Sequence, residues 1–284
     1  MRDHPQAPTG LARRGHRLPD QETERRMLRA AMAMVNRTGL TVSLDHISFE
    51  DVIRDADVSR SSVYRRWPYK DLFFSDLVKE LAKDATPAII NAELQLMRRV
   101  VAEHLAWLET PELRHGLVIE LCRQLALLDF QTMYGSAEWR TYIALHATFM
   151  SLADGELRDQ VQLSLAQSEK DRTARIAQAW EQLAGLFGYR LRPELGTTFE
   201  TMATLLSATM RGLIIMALSA PEIAAHRAQA SPFGAAGQDE WSMAAMGIAS
   251  IASAFLEPDD AIEWTGERVA SVRHALSGWA PPSR

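Results

Sequence analysis

Ala56-Asp57-Val58-Ser59-Arg60-Ser61-Ser62-Val63-Tyr64-Arg65-Arg66-Trp67 is the stretch on which the fold turns. From Ser59 to Lys70 the chain holds three Arg, one Lys, three Ser and three aromatics with no acid, although the whole protein carries a formal net charge of -5. Its grammar is that of a capped helix: Ser59 supplies a hydroxyl N-cap, Val58 can staple to Val63, and Pro68 forces Trp67 out of helical geometry. Just upstream the same grammar occurs once before. Ser48 caps, Asp51 stands three residues on, and Ile47 can staple to Val52. Two short helices joined by Ala56-Asp57-Val58 predict a helix-turn-helix.

At about 100° per residue, Val63 and Trp67 share the face that must enter the core. Ser61, Ser62 and Arg65 fall opposite, Arg60 and Tyr64 flank one side, and Arg66 flanks the other. Short hydroxyls beside a long guanidinium suit a helix pressed into a major groove, where Arg can bridge guanine O6 and N7. A carboxylate in this window would meet phosphates at close range, and none is present. The competing reading is a solvated basic face on an ordinary helix.

Working outward, charge divides along the chain. Residues 1–70 hold 13 basic and 9 acidic residues, a net of +4, so the remaining residues carry -9. A basic head on an acidic body predicts that only the head meets a polyanion. Residues 1–19 mix Pro, Gly and Arg (Arg13, Arg14 and Arg17 among them) without periodicity and read as a disordered basic arm. A first helix starts at Asp20, read as its N-cap, buries Met27/Leu28, Ala31 and Met34/Val35, and ends at Gly39 with Leu40 folding back on it. A fourth runs from Asp71 to Lys83. Helical stretches then recur at about 88–109, 111–130, 136–152, 156–187, 197–218, 239–256 and 260–277, while residues 221–238 read as a loop. The fold class predicted is all-α: a helix-turn-helix domain over residues 20–83 and a larger helical domain over 84–284.

In register, Ser48, Val52-Ile53, Ala56-Asp57-Val58-Ser59, Tyr64, Trp67, Lys70 and Leu72-Phe73 resemble the DNA-binding domain of the tetracycline-repressor (TetR) family, over about residues 24–82. Three departures stand out: Asp57 replaces the usual turn Gly, Trp67 replaces Phe, and Thr41–His46 lengthen the link before Ser48. Asp is among the few residues other than Gly that tolerate positive φ at such a turn. The resemblance implies base contacts from Arg60, Ser61, Ser62 and Arg65, and phosphate contacts from Ser48, Tyr64, Arg66 and Lys70. It implies a homodimer on double-stranded DNA with a palindromic operator, two late helices of each subunit forming the interface. The candidates are 156–187 and 197–218, with part of 239–256. Leu205, Leu206, Met210, Leu213 and Ile214 belong either to that surface or to the core beneath it.

It also implies a small apolar or amphipathic ligand that releases the DNA, held among the middle helices. Trp107, Phe130, Tyr134, Trp139, Phe149 and Trp180 are the candidate walls, with Tyr142 also available and Met97, Met133 and Met150 lending adaptability. Each suits plain core packing better than a ligand wall. A DNA-bound scaffold regulated by a protein partner is the alternative. A helical-bundle enzyme is a third: Glu112-Leu-Arg-His115 has the spacing of a di-iron ligand pair, but the site needs two such motifs. There is no Gly-x-Ser-x-Gly, P-loop, Gly-x-Gly-x-x-Gly or Cys/His zinc set, so no cofactor is expected. The single cysteine, Cys122, excludes an internal disulfide. The polar start lacks a secretory h-region, and the apolar run Leu213–Ala220 reads as too short to cross a bilayer, predicting a cytoplasmic protein without membrane contact.

Overall fold

The computed structural model describes residues 19–39, 47–83 and 91–278. The basic arm up to residue 18, Leu40 and Thr41–His46 lie outside them. Within them the chain is all-α, built on twelve α-helices with only three-residue strands between them.

Helix α1 (Asp20–Thr38) follows Pro19, so Asp20 is its first residue rather than its cap. Asp20 and Glu22 still place carboxylates in the first turn, where the positive end of the helix dipole favours them. Met27, Leu28, Ala31 and Val35 form its buried face, and Gly39 ends it at φ 84° with its N–H on the Val35 carbonyl. Helices α2 (Phe49–Asp55) and α3 (Arg60–Arg66) are capped as their sequences require. Ser48 Oγ accepts from the Asp51 N–H, and Ser59 Oγ from the Ser62 N–H, both at 3.2 Å. Between them Asp57 takes φ 51°, the left-handed conformation expected of the residue that stands in for Gly. Asp57→Gly relieves a left-handed cost of about 1–2 kcal/mol against a Gly entropy cost of about 0.5–1 kcal/mol and is expected to stabilise the protein by no more than about 1 kcal/mol, whereas Asp57→Val should destabilise it. Thermal melts of the two variants should move in opposite directions.

Helix α4 (Lys70–Lys83) leads to α5 (Asn91–Glu103), a 3-10 turn (Leu105–Leu108), α6 (Pro111–Gly135), α7 (Ala137–Ser151), α8 (Glu156–Phe187) and α9 (Phe199–Ser219). Pro111 occupies the first turn of α6, and Gly188 stops α8 in the left-handed conformation. A short α10 (Pro221–Ala225) precedes α11 (Met243–Phe255) and α12 (Gly266–Gly278). The predicted loop 221–238 thus contains α10 and β2 (Ala228–Ala230), which pairs antiparallel with β3 (Asp239–Trp241). A second ribbon joins β1 (Tyr189–Leu191) to β4 (Leu256–Pro258). None of these strands has an alternating β-branched pattern, and each is held by its surroundings. Trp241 is fully buried, and the His115 ring bridges Tyr189 Oη at 2.9 Å and the Phe233 carbonyl at 2.7 Å. His115 thereby ties α6 to both ribbons.

Two apolar clusters organise the molecule. The larger joins α5, α6, α9, α11 and the C-terminal part of α8. The other is the core of α1–α4, and it extends into Trp139, Tyr142 and Leu145 of α7 and Val161 and Leu165 of α8. Helix α4 lies along α8. Among the described residues one helix, α9, is long and apolar enough to cross a membrane, so Leu213–Ala220 is the end of a longer apolar segment than its own length suggests. Here α9 packs against α8 and α11, with Leu206, Met210 and Ile214 buried. Leu205 instead points outward with Ile215, Met216 and Leu218.

Candidate nucleic-acid interface

Val63 and Trp67 are both fully buried and fix which way α3 faces. Trp67 stands edge-on to Phe73 with ring centroids 5.1 Å apart, and its indole N–H donates to Asp76 Oδ2 at 2.9 Å. The opposite side of α3 presents Arg60, Ser61, Tyr64, Arg65 and Arg66 to solvent. Ser48 and Lys70, at the starts of α2 and α4, are exposed as well.

Ser62 departs from its expected place. It is 5% exposed, and its hydroxyl accepts from Ser59 Oγ at 2.9 Å. At the third position of a short helix the side chain folds back onto its own cap, so Ser62 serves the helix start rather than the open face.

Acids absent from the window return to it from other helices. Arg60 pairs with Glu50 of α2 at 2.7 Å, and the Tyr64 hydroxyl donates to the same carboxylate at 3.0 Å. That bond raises the Tyr64 pKa above its usual value. Arg65 pairs with Asp20. Arg66 donates to Glu24 at 3.1 Å and lies 3.5 Å from Asp76, with its guanidinium over the Trp67 ring. No local spacing announces these pairs, since Arg65 and Asp20 are 45 residues apart and Arg66 and Glu24 are 42 apart. Exposed ion pairs of this kind contribute about 0–1 kcal/mol, so a phosphate can take the place of each carboxylate.

The six predicted wall aromatics are not brought to one cavity. Trp107, Phe130, Tyr134 and Trp180 belong to or adjoin the larger core, Phe130 stacking on Tyr134 with centroids 5.7 Å apart. Trp139 and Phe149 belong to or adjoin the core of α1–α4. Two shallow clefts lie elsewhere, one between α8 and the start of α9 near Gln178 and Phe199, the other between the 3-10 turn and α12 near Trp264. Met97 is core and Met150 is exposed.

No protein-family model matches the chain, and neither does any curated protein. Among the solved structures that align with it are two regulators. One is a TetR-family transcriptional regulator from Agrobacterium tumefaciens, 16% identical, covering 71% of this chain and 90% of that one with a TM-score of 0.39. The other is full-length native TylP, a TetR regulator from Streptomyces fradiae, 14% identical, covering 93% and 94% with a TM-score of 0.41. Similarity this distant carries no functional argument.

Proposed function

We propose that this chain is a cytoplasmic, sequence-specific DNA-binding transcriptional regulator of the TetR type, acting as a homodimer and responsive to a small amphipathic ligand. The observation that carries this reading is the outer face of α3. A capped helix, oriented by the buried Val63 and Trp67, exposes three Arg, one Ser and one Tyr, and pairs them with Glu50, Asp20 and Glu24 and with the partly buried Asp76. In this reading Ser61 and Arg65, with Arg60, read base edges, while Ser48, Tyr64, Arg66 and Lys70 hold phosphates. Binding frees Asp20, Glu24 and Glu50 from their cations, and the cations these carboxylates then take up offset part of the counterion release from the DNA.

One such helix reads only a few base pairs, so a second copy is required. The exposed apolar residues of α9, Leu205, Ile215 and Met216, support self-association through this helix.

The test is selection of bound sequences from a random duplex library at stated salt. A palindrome with half-sites about one turn apart, or a multiple, is the expected product. Arg65→Ala should then lose about 1–3 kcal/mol on the selected site and relax the preference at its base position. Lys70→Ala should weaken all sequences alike and reduce the salt slope by about one. Absence of an enriched sequence, or equal effects of both variants on every sequence, overturns the assignment.

A further inference from the structure

Between α7, α8 and α9 lies a cationic cluster that DNA contact does not use. Arg172 of α8 is 7% exposed, and Arg211 of α9 stands beside it, three-quarters buried. One carboxylate serves both: Glu169 accepts from Arg172 and from Arg211. The Tyr142 hydroxyl, which accepts from Arg172, donates to the same Glu169 at 3.0 Å. Burial pushes the Glu169 carboxyl up, but the Arg211 hydrogen bond and the charges of both guanidinium groups outweigh it and hold its pKa below the usual range. The cluster therefore sets two positive charges against one negative.

Its hydrogen bonding is unbalanced in the same sense. Arg172 Nε and Nη1, Arg211 Nε and the Trp139 indole nitrogen are buried without a hydrogen-bond partner among the described residues. The Arg172 guanidinium lies 4.6 Å from the Tyr142 ring centroid and 5.5 Å from that of Trp139, and Arg211 lies 5.4 Å from the Tyr142 ring. All four unmet groups are donors gathered around one pair of rings. Leaving a buried donor unsatisfied costs about 1–3 kcal/mol, and a buried cation without its own counter-charge costs more. Surplus donors beside surplus positive charge are complemented by an anion, and a guanidinium fork matches a planar carboxylate in two parallel hydrogen bonds.

The geometry points to a binding site for a small organic carboxylate at Arg172 and Arg211, with its apolar or aromatic body against Trp139 and Tyr142. Binding there stands without the DNA-binding reading. Only its consequence rests on that reading: α4 lies on α7 and α8, the helices that carry Tyr142 and Arg172, so an occupant bears on the lever that spaces the two α3 helices.

The thermal midpoint of the full chain, measured without DNA in the presence of benzoate, octanoate, benzamide or inorganic phosphate, tests the site. The two carboxylates are expected to raise it by roughly 3–6 °C near saturation, and benzamide and phosphate to leave it unchanged. Arg211→Gln should abolish the shift. Glu169→Gln removes the competing internal carboxylate and should tighten benzoate binding about ten-fold by titration calorimetry, where a purely structural ion pair predicts destabilisation without any gain in affinity. Should Arg211→Gln fail to fold, the Glu169→Gln affinity decides alone. An equal shift with benzamide, an equal shift with phosphate, or no shift with any carboxylate in either the natural chain or Glu169→Gln overturns the proposal. DNA binding measured with the same probes tests only the consequence, so the two failures remain distinct.

Discussion

Trp67→Ala is expected to lower the thermal midpoint by about 10 °C and to abolish selective DNA binding, making it the most damaging single substitution in the N-terminal helices. The ring is fully buried, packs edge-on against Phe73, and anchors α3 to α4 through its hydrogen bond to Asp76. Truncation removes that packing and leaves a cavity, a combination that costs about 3–5 kcal/mol for an aromatic side chain. In a chain of this size each kcal/mol moves the midpoint by about 2–4 °C. Trp67→Phe separates the two contributions. It keeps most of the ring but gives up the hydrogen bond, while Asp76 retains Lys79 at 3.3 Å and Arg66 at 3.5 Å. A loss of about 1–2 kcal/mol is expected there. Melts followed by circular dichroism, with Ala and Phe measured together, check the difference; equal losses would mean that the indole N–H, not the volume, secures α3.

The features legible in the sequence are the local ones. Ser48 and Ser59 cap because a hydroxyl there meets orphan N–H groups two or three residues on, and Gly39 and Gly188 end helices through positive φ. Asp57 was legible only through the resemblance, which puts it where a turn Gly is usual, and Asp is among the few residues that tolerate the positive φ found there. Ser62 was not legible, since a helical wheel treats a seven-residue helix as uniform whereas its third residue turns back to its cap. Long-range relations were hidden altogether. Nothing near Arg60 or Arg65 in the sequence announces Glu50 or Asp20. Phe130 and Trp139 stand nine positions apart, yet they fall into different cores because α6 ends between them. The buried Arg172 likewise reads as one more polar position on a long helix, and only the approach of α7 and α9 sets it apart.

A second large effect should appear as a pH dependence. Glu93 of α5 and Asp129 of α6 are half-buried carboxyl groups close enough to share a proton, and Asp129 Oδ1 has no other partner among the described residues. Burial, then the Asp129 charge and the shared bond, push the Glu93 carboxyl up to about 9, and burial raises Asp129 as well despite the bond from Glu93. A carboxyl whose folded pKa exceeds its unfolded value binds its proton more tightly in the native state. Its contribution is therefore complete below the unfolded value of about 4.3 and is lost as pH rises through the folded one. The midpoint of the natural chain should fall between about pH 5 and pH 9. Glu93→Gln keeps an amide able to donate to Asp129 but has no proton to lose, so its midpoint should decline less over the same interval. The two proteins should melt together near pH 5 and diverge toward pH 9, with the variant the more stable by several degrees. The difference between the two curves cancels the histidines common to both, so parallel profiles across that range would show that Glu93 holds no proton at neutral pH.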